Sequence, residues 1–442
     1  MTLQAGAAVG EITPPLPAAL FGYPHVERVA SEVHDPLLVS ALYLRNPSGA
    51  VVVIALDLLM LEPLTARAIR KAVAERLSIA EDRVFLSCTH THSGPVTARL
   101  LAWSDDPTIP PPDAAYLRFL AEKVVETAGR AASLAAPAEI AWTTADARGV
   151  GGNRHTAGGL TDPEVGILAV RRAGGGPLLA AALVHGMHPT VLHEDSAEVS
   201  ADFPHYARQL LRERFGAHLC VLYHMGPSGN QSPRFFVRGQ TFAEAERLGR
   251  QLGQAVVASL ERLSAADFHH ECALRAVLRP VDLPTRALPP AGEAEAILVR
   301  CRAHYQQLQQ LGSDPAEIRT AECAVFGAEG TLTLARLNAR GAIDQALRDH
   351  CPIEVQAVRI GDGYLAGLPG ELFAEYALEI KRRFAGRVFA VSLVNGELQG
   401  YIVTPQAAAE GCYESLTSLF RPEAGIVLVA ATLEALGDLA AF

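Results

Sequence analysis

Four short polar segments lie at the ends of apolar runs, and their residue types suit hydrolytic chemistry. The first is Ser87-Cys88-Thr89-His90-Thr91-His92-Ser93-Gly94-Pro95. In an extended chain, residues two apart face the same side, so this spacing predicts that His90 and His92 point into one cavity. A His-x-His pair at a strand end is a sound metal half-site, because imidazole suits zinc and both ligands arrive aligned. Two polar loop histidines produce the same pattern. The second segment is His185-Gly186-Met187-His188-Pro189-Thr190, followed by His193, Glu194, Asp195 and Asp202. A histidine here reads equally as a satisfied core residue or as a ligand, and a second histidine source at the same sheet edge favours the ligand. The third, Leu368-Pro369-Gly370-Glu371, sets a carboxylate at a strand-to-helix turn, where the helix dipole alone would favour it. The fourth, Gly229-Asn230-Gln231-Ser232-Pro233-Arg234, carries a serine near the tip of a glycine turn but lacks the G-x-S-x-G spacing of a nucleophile elbow.

These segments need elements that bring them together. The nearly unbroken apolar run 51–61 reads as a strand buried on both faces. Pro63 opens a helix over 64–78, and 83–88 is a second strand running into the histidine pair. Strand, helix and strand make a crossover unit, hence an at least partly parallel sheet. A second unit follows: strand 177–185, helix 202–214, strand 218–224, then the 226–233 turn and a long helix at 241–263. The region 265–350, with a strand-like 270–283 and helices near 291–312 and 331–349, reads as an insertion covering the sheet. Strand character returns over 353–368, with a hairpin turn at Gly361-Asp362-Gly363. A helix is expected from Glu371, a strand over 387–394 and a last helix over 426–439. The fold class is therefore α/β: a mixed, partly parallel β-sheet core flanked by helices, with the active site at strand ends.

Composition agrees with one large globular unit. In 442 residues, 49% are apolar and 19% charged, which excludes a disordered or collagen-like chain. With 38 basic against 48 acidic residues the net charge is -10, so no broad positive field exists for nucleic acid. No stretch reaches the ~18 apolar residues of a membrane span. The opening residues lack a basic segment followed by an apolar core, so no signal peptide is expected. The seven cysteines include no C-x-x-C pair and read as reduced core residues. A soluble, cytoplasmic protein is the expectation.

The order and wording of the polar segments resemble the neutral (non-lysosomal) ceramidase family across essentially the whole chain. The matching stretches are GAAVGEITP from Gly6, His34-Asp35-Pro36-Leu37, Ala55-Leu56-Asp57-Leu58 and, most specifically, THTHSGP from Thr89. Asn153-Arg154, His188-Pro189-Thr190, Ser232-Pro233, Pro369-Gly370-Glu371, Tyr401 and Tyr413 follow in the family's order. The resemblance implies a single ceramidase-like catalytic domain over 1–442 and a zinc-dependent amidase with one Zn²⁺ per chain, a hydrolase of sphingolipid-type amides. It implies His90, His188, Glu371 and Tyr401 as metal ligands, with His92, Arg154 and Tyr413 handling the scissile amide. Ser232 lies in the family's serine hexapeptide, where this sequence has Asn230 in place of an acidic residue and Arg234 in place of an asparagine. The C-terminal immunoglobulin-like domain and the secretory signal of longer members are expected to be absent. The substrate implied is an N-acyl amide, either ceramide-like or a smaller N-acyl amine, and ceramide itself is expected to be a poor one. Three other readings stand beside this one: a serine amidase using Ser232, a metallo-hydrolase or cyclase acting on a small polar amide, lactam or ester, and a non-catalytic binding protein of the same fold.

Overall fold

The computed structural model describes residues 2–441. Eight strands form the larger sheet: β1 (Gln4–Glu11), β2 (Leu38–Asn46), β3 (Gly49–Leu56), β4 (Val84–Cys88), β5 (Ala136–Asp146), β6 (Glu164–Arg172), β7 (Leu178–His185) and β8 (Cys220–Met225). Their order is β8-β7-β6-β5-β1-β2-β3-β4. Inner neighbours pair antiparallel, whereas β3–β4 at one edge and β7–β8 at the other are parallel. A second sheet, β9 (Leu274–Val281), β10 (Ile353–Ile360), β11 (Gly363–Gly367) and β12 (Arg387–Val391), ends in a third parallel pair, β11–β12.

The residue pattern accounts for the layering. Along β3, Val51, Val53 and Ala55 pack with Val358, Leu365 and Phe389 of the second sheet, while Val52, Ile54 and Leu56 join a separate helix-facing core. A strand apolar on both faces must be covered on both, which a continuous apolar run anticipates. Helices α1 (Pro63–Leu77), α2 (Ala114–Ser133), α3 (Phe203–Phe215) and α4 (Phe242–Glu261) cover the outer face of the larger sheet. Pro63 starts α1, and Asp113 caps α2 by accepting from Ala115 N at 2.7 Å. The result is a helix–sheet–sheet–helix sandwich with hydrophobic cores between successive layers.

In the two larger sheets, each of these three parallel pairs is joined by one helix: α1, α3 and, in the second sheet, α8 (Ala374–Arg383). Two of these three crossovers match the units expected from the sequence. Strand 270–283 is β9, paired along its length with β10, so it belongs to the second sheet. Between β9 and β10 lie α5 (Ala291–Leu311), α6 (Pro315–Ala339) and α7 (Ala342–His350). The single helix expected at 331–349 is thus two helices, separated at Gly341 with φ +72°, and the first begins at Pro315. Glycines within α6 lower local helix propensity, but they permit close packing: a Cβ on Gly327 would meet Leu416 at 2.9 Å. The chain closes with α9 (Pro405–Glu410), α10 (Tyr413–Thr417) and α11 (Glu423–Ala440). Among the described residues no helix is long and apolar enough to cross a membrane.

Candidate active site

The loops leaving β4, β7, β8, β11 and β12 converge at the carboxyl ends of the parallel strands, where open α/β sheets place ligands. They border a cavity of about 750 Å³ whose walls include His90, His92, Arg154, Ser232, Glu371, Tyr401 and Tyr413. His188 lies just beneath, fully buried.

At the centre are three donor atoms. His90 Nε2 and His188 Nε2 are 3.1 Å apart, and Glu371 Oε2 is 3.1 Å from each. His90 Nδ1 faces the carbonyl of Leu59 at 2.9 Å, and His188 Nδ1 faces those of Ser228 at 2.8 Å and Gln231 at 3.1 Å. A carbonyl accepts only, so each Nδ1 carries the proton and each Nε2 presents a lone pair to the shared point. Two lone pairs at that distance repel unless a cation lies between them. A tetrahedral ion with bonds of ~2.0–2.1 Å spaces its ligand atoms by about 3.3 Å, close to this triangle. The donor set, two imidazoles and a carboxylate, fits zinc. Burial, followed by the Arg154 charge, lowers His188 to about 4, so the ring is neutral.

His92 completes a trio with His90 and His188 whose ring nitrogens lie within 4.8 Å of one another. Its Nδ1 donates to Gly22 O at 3.1 Å, and its Nε2 is buried without a partner among the described residues. Gly22 has φ +124°, and a Cβ there would meet the His92 ring at 2.5 Å, so glycine is required for this approach. Burial first, then the neighbouring histidines, keep His92 neutral. The two histidines reach one cavity, but not by strand alternation. The strand ends at Cys88, and His90 turns with φ +69°, a left-handed conformation rare outside glycine.

Arg154 and Ser232 arrive together, because the two-residue strand Gly152–Asn153 pairs with Gln231–Ser232. Arg154 Nε donates to Glu414 Oε1 at 2.8 Å and Nη2 binds the same oxygen, while Nη1 lies 3.5 Å from His188 Nε2. Tyr401 is the register partner of Glu371 in the parallel pair Glu371–Leu372 and Tyr401–Ile402. Its ring stacks under Arg154 at 5.4 Å and meets the Tyr413 ring at 6.2 Å. Burial, joined by the charge of Glu371, raises the Tyr401 phenol well above its ordinary value, so it keeps its proton unless a cation is near. Glu371 precedes α8 by three residues and faces the two histidines, so it does not serve as a first-turn helix residue.

The glycine turn after β8 is a scaffold. Its Ser228 and Gln231 carbonyls orient His188. Its Asn230 accepts from Ala374 N at 2.9 Å at the start of α8, donates to Glu375 at 2.8 Å and bonds Arg154 N through its carbonyl at 2.8 Å. Ser232 Oγ accepts from Arg234 N at 3.2 Å, and among the described residues no imidazole bonds it. Two contributors lay outside the sequence reading. Glu414 is buried and bonds Arg154 and His155, and Arg28 donates to His92 O at 2.7 Å. Neither sits in a motif. The place of Glu414 directly after Tyr413 was the one available signal.

No family model and no curated protein matches the chain. Among solved structures, a ceramidase complexed with C2 superimposes with a TM-score of 0.76 at 16% identity, over 100% of this chain and 76% of that one. The neutral ceramidase from Pseudomonas aeruginosa gives a TM-score of 0.75 at 17% identity, over 99% and 74% respectively. The fold of this chain is thus the one seen in neutral ceramidases, in agreement with the resemblance carried by its sequence motifs.

Proposed function

We propose that the protein is a zinc-dependent amidohydrolase that cleaves an N-acyl amide. The observation that carries this reading is the 3.1 Å triangle of His90 Nε2, His188 Nε2 and Glu371 Oε2 at the floor of a large cavity. His90, His188 and Glu371 would hold the ion, with Tyr401 beside them as a fourth ligand. A zinc ion bound there supplies a nucleophilic water near neutral pH and polarises the amide carbonyl.

The chain's own groups supply the rest. His92 Nε2, neutral and unpartnered, takes a proton from the attacking water and delivers it to the departing amine nitrogen. Water adds to the carbonyl carbon, the C–N bond breaks, and acid and amine leave. Arg154 Nη1, turned toward the cluster, and the Tyr413 hydroxyl donate to the oxyanion of the tetrahedral intermediate. Ser232 lines the cavity and positions substrate.

The cavity walls favour a small or polar N-acyl amine over ceramide. The lining includes apolar Leu59, Met60, Leu100 and Trp103, but also His193, Glu194, Arg234 and Arg319. Arg319 and Glu194 bond at 3.1 Å in that lining, and two long alkyl chains would bury the pair without water. The test is metal emission spectrometry on untagged protein, coupled to an amide-substrate panel. Near-stoichiometric zinc with turnover is expected, and full activity from metal-free protein would refute the proposal.

A further inference from the structure

Beside the central cluster, a second group of unlike donors faces the same cavity. His155, Cys412 and Glu414 bring an imidazole nitrogen, a sulfur and a carboxylate oxygen within 4.8 Å of one another. The geometry points to a second divalent-cation site at these residues, one that takes a borderline or soft ion such as Zn²⁺, Co²⁺ or Cd²⁺. It shares no ligand with His90, His188 and Glu371, but it meets the proposed function at Glu414, whose other oxygen holds Arg154.

The carboxylate is divided between two tasks. Oε1 of Glu414 receives Arg154 through Nε at 2.8 Å and Nη2. Oε2 receives the His155 ring, whose Nε2 lies 3.0 Å from both oxygens. An ion in this position takes the place of the proton that His155 shares with Glu414, and that proton moves to Nδ1. The thiol of Cys412 gives up its proton on binding, since thiolate is the ligand form.

The ligands come from two braced segments. Cys412 and Glu414 flank Tyr413 at the start of α10, and His155 N donates to Asn153 Oδ1 at 2.9 Å on the facing loop. Sulfur and imidazole select against magnesium and calcium, which prefer all-oxygen sets. The His155 side chain is 30% exposed, so an ion can enter and a water can fill its open position. Arg154 already balances the carboxylate, so the thiolate is the added negative charge that meets the ion.

The experiment reads the sulfur. Full-length protein is given one equivalent of zinc and then titrated with Co²⁺. The expected result is uptake of a further equivalent with a thiolate-to-cobalt absorption band in the near ultraviolet, because the central cluster offers no sulfur. Cys412→Ser and His155→Ala should each abolish that band, and if Cys412→Ser fails to fold, His155→Ala decides alone. No further uptake, uptake without the band, or a band that survives His155→Ala and so arises at another cysteine would overturn the inference. If the first zinc fails to bind tightly, the function proposed above falls, while the sulfur band still reports on this site.

Discussion

Glu414 receives two guanidinium nitrogens of Arg154 on one carboxylate oxygen, which leaves the third, Nη1, 3.5 Å from His188 Nε2. A single buried carboxylate therefore sets where the cation of Arg154 points. Groups that orient catalytic residues typically contribute ten- to a hundredfold when removed. Glu414→Gln should lower kcat by about that factor while the protein keeps its zinc. Steady-state kinetics with metal analysis on the same sample checks it; a variant with wild-type kcat would remove Glu414 from this role.

The same pair makes a pH prediction. Burial opposes the charge on Glu414, but Arg154 and His155 outweigh it and hold the carboxyl well below its ordinary range. A depressed carboxyl stabilises the fold above its unfolded pKa of ~4.3 and loses that contribution as pH falls toward the folded value. Breaking a buried pair costs about 3–5 kcal/mol. Glu414→Gln should melt well below wild type at pH ~7, and the gap should narrow toward pH ~3 as Glu414 of the unfolded chain takes up a proton that the folded carboxylate still refuses. A gap unchanged between the two pH values would contradict the assignment.

First ligands and proton carriers separate by metal content. His90→Ala and Glu371→Ala should lose both zinc and turnover. His92→Ala should retain zinc and lose roughly 10²–10⁴-fold in rate, since the proposed function assigns the proton transfers to its Nε2. If His92→Ala lost zinc as completely as His90→Ala, the two histidines would have to exchange roles, an outcome that the close grouping of all three rings makes worth testing.

Ser232 should form no acyl-enzyme. Its hydroxyl accepts from Arg234 N, and among the described residues no imidazole bonds it to activate it. Rapid quench with a slow amide, followed by intact-protein mass spectrometry, should show unmodified chain. An acyl increment mapped to Ser232 would promote the serine-amidase reading.

Acyl length reports the substrate. The Arg319–Glu194 pair on the cavity wall predicts a maximum of kcat/KM at short acyl groups, with ceramide in mixed micelles well below it. A steady rise with chain length up to ceramide would refute this.

Local pattern decides much of this protein. The apolar run of β3, Pro63 and the strand ending in the histidine pair specify a crossover unit through side-chain periodicity and proline geometry alone. The polar segments at strand ends followed from the same reading, since a loop leaving a buried parallel strand opens at the sheet edge. What lay beyond sequence was convergence. Glu371 stands 183 positions after His188, and their meeting depends on the 226–233 turn, whose Ser228 carbonyl faces His188 Nδ1 and whose Asn230 side chain accepts from Ala374 N at the start of α8. The left-handed turn at His90, the carbonyls that set both imidazole tautomers and the choice of Glu414 for Arg154 are likewise long-range matters. Periodicity records which face of an element is buried, not which distant carbonyl or carboxylate is buried against it, and only packing of the two sheets decided that.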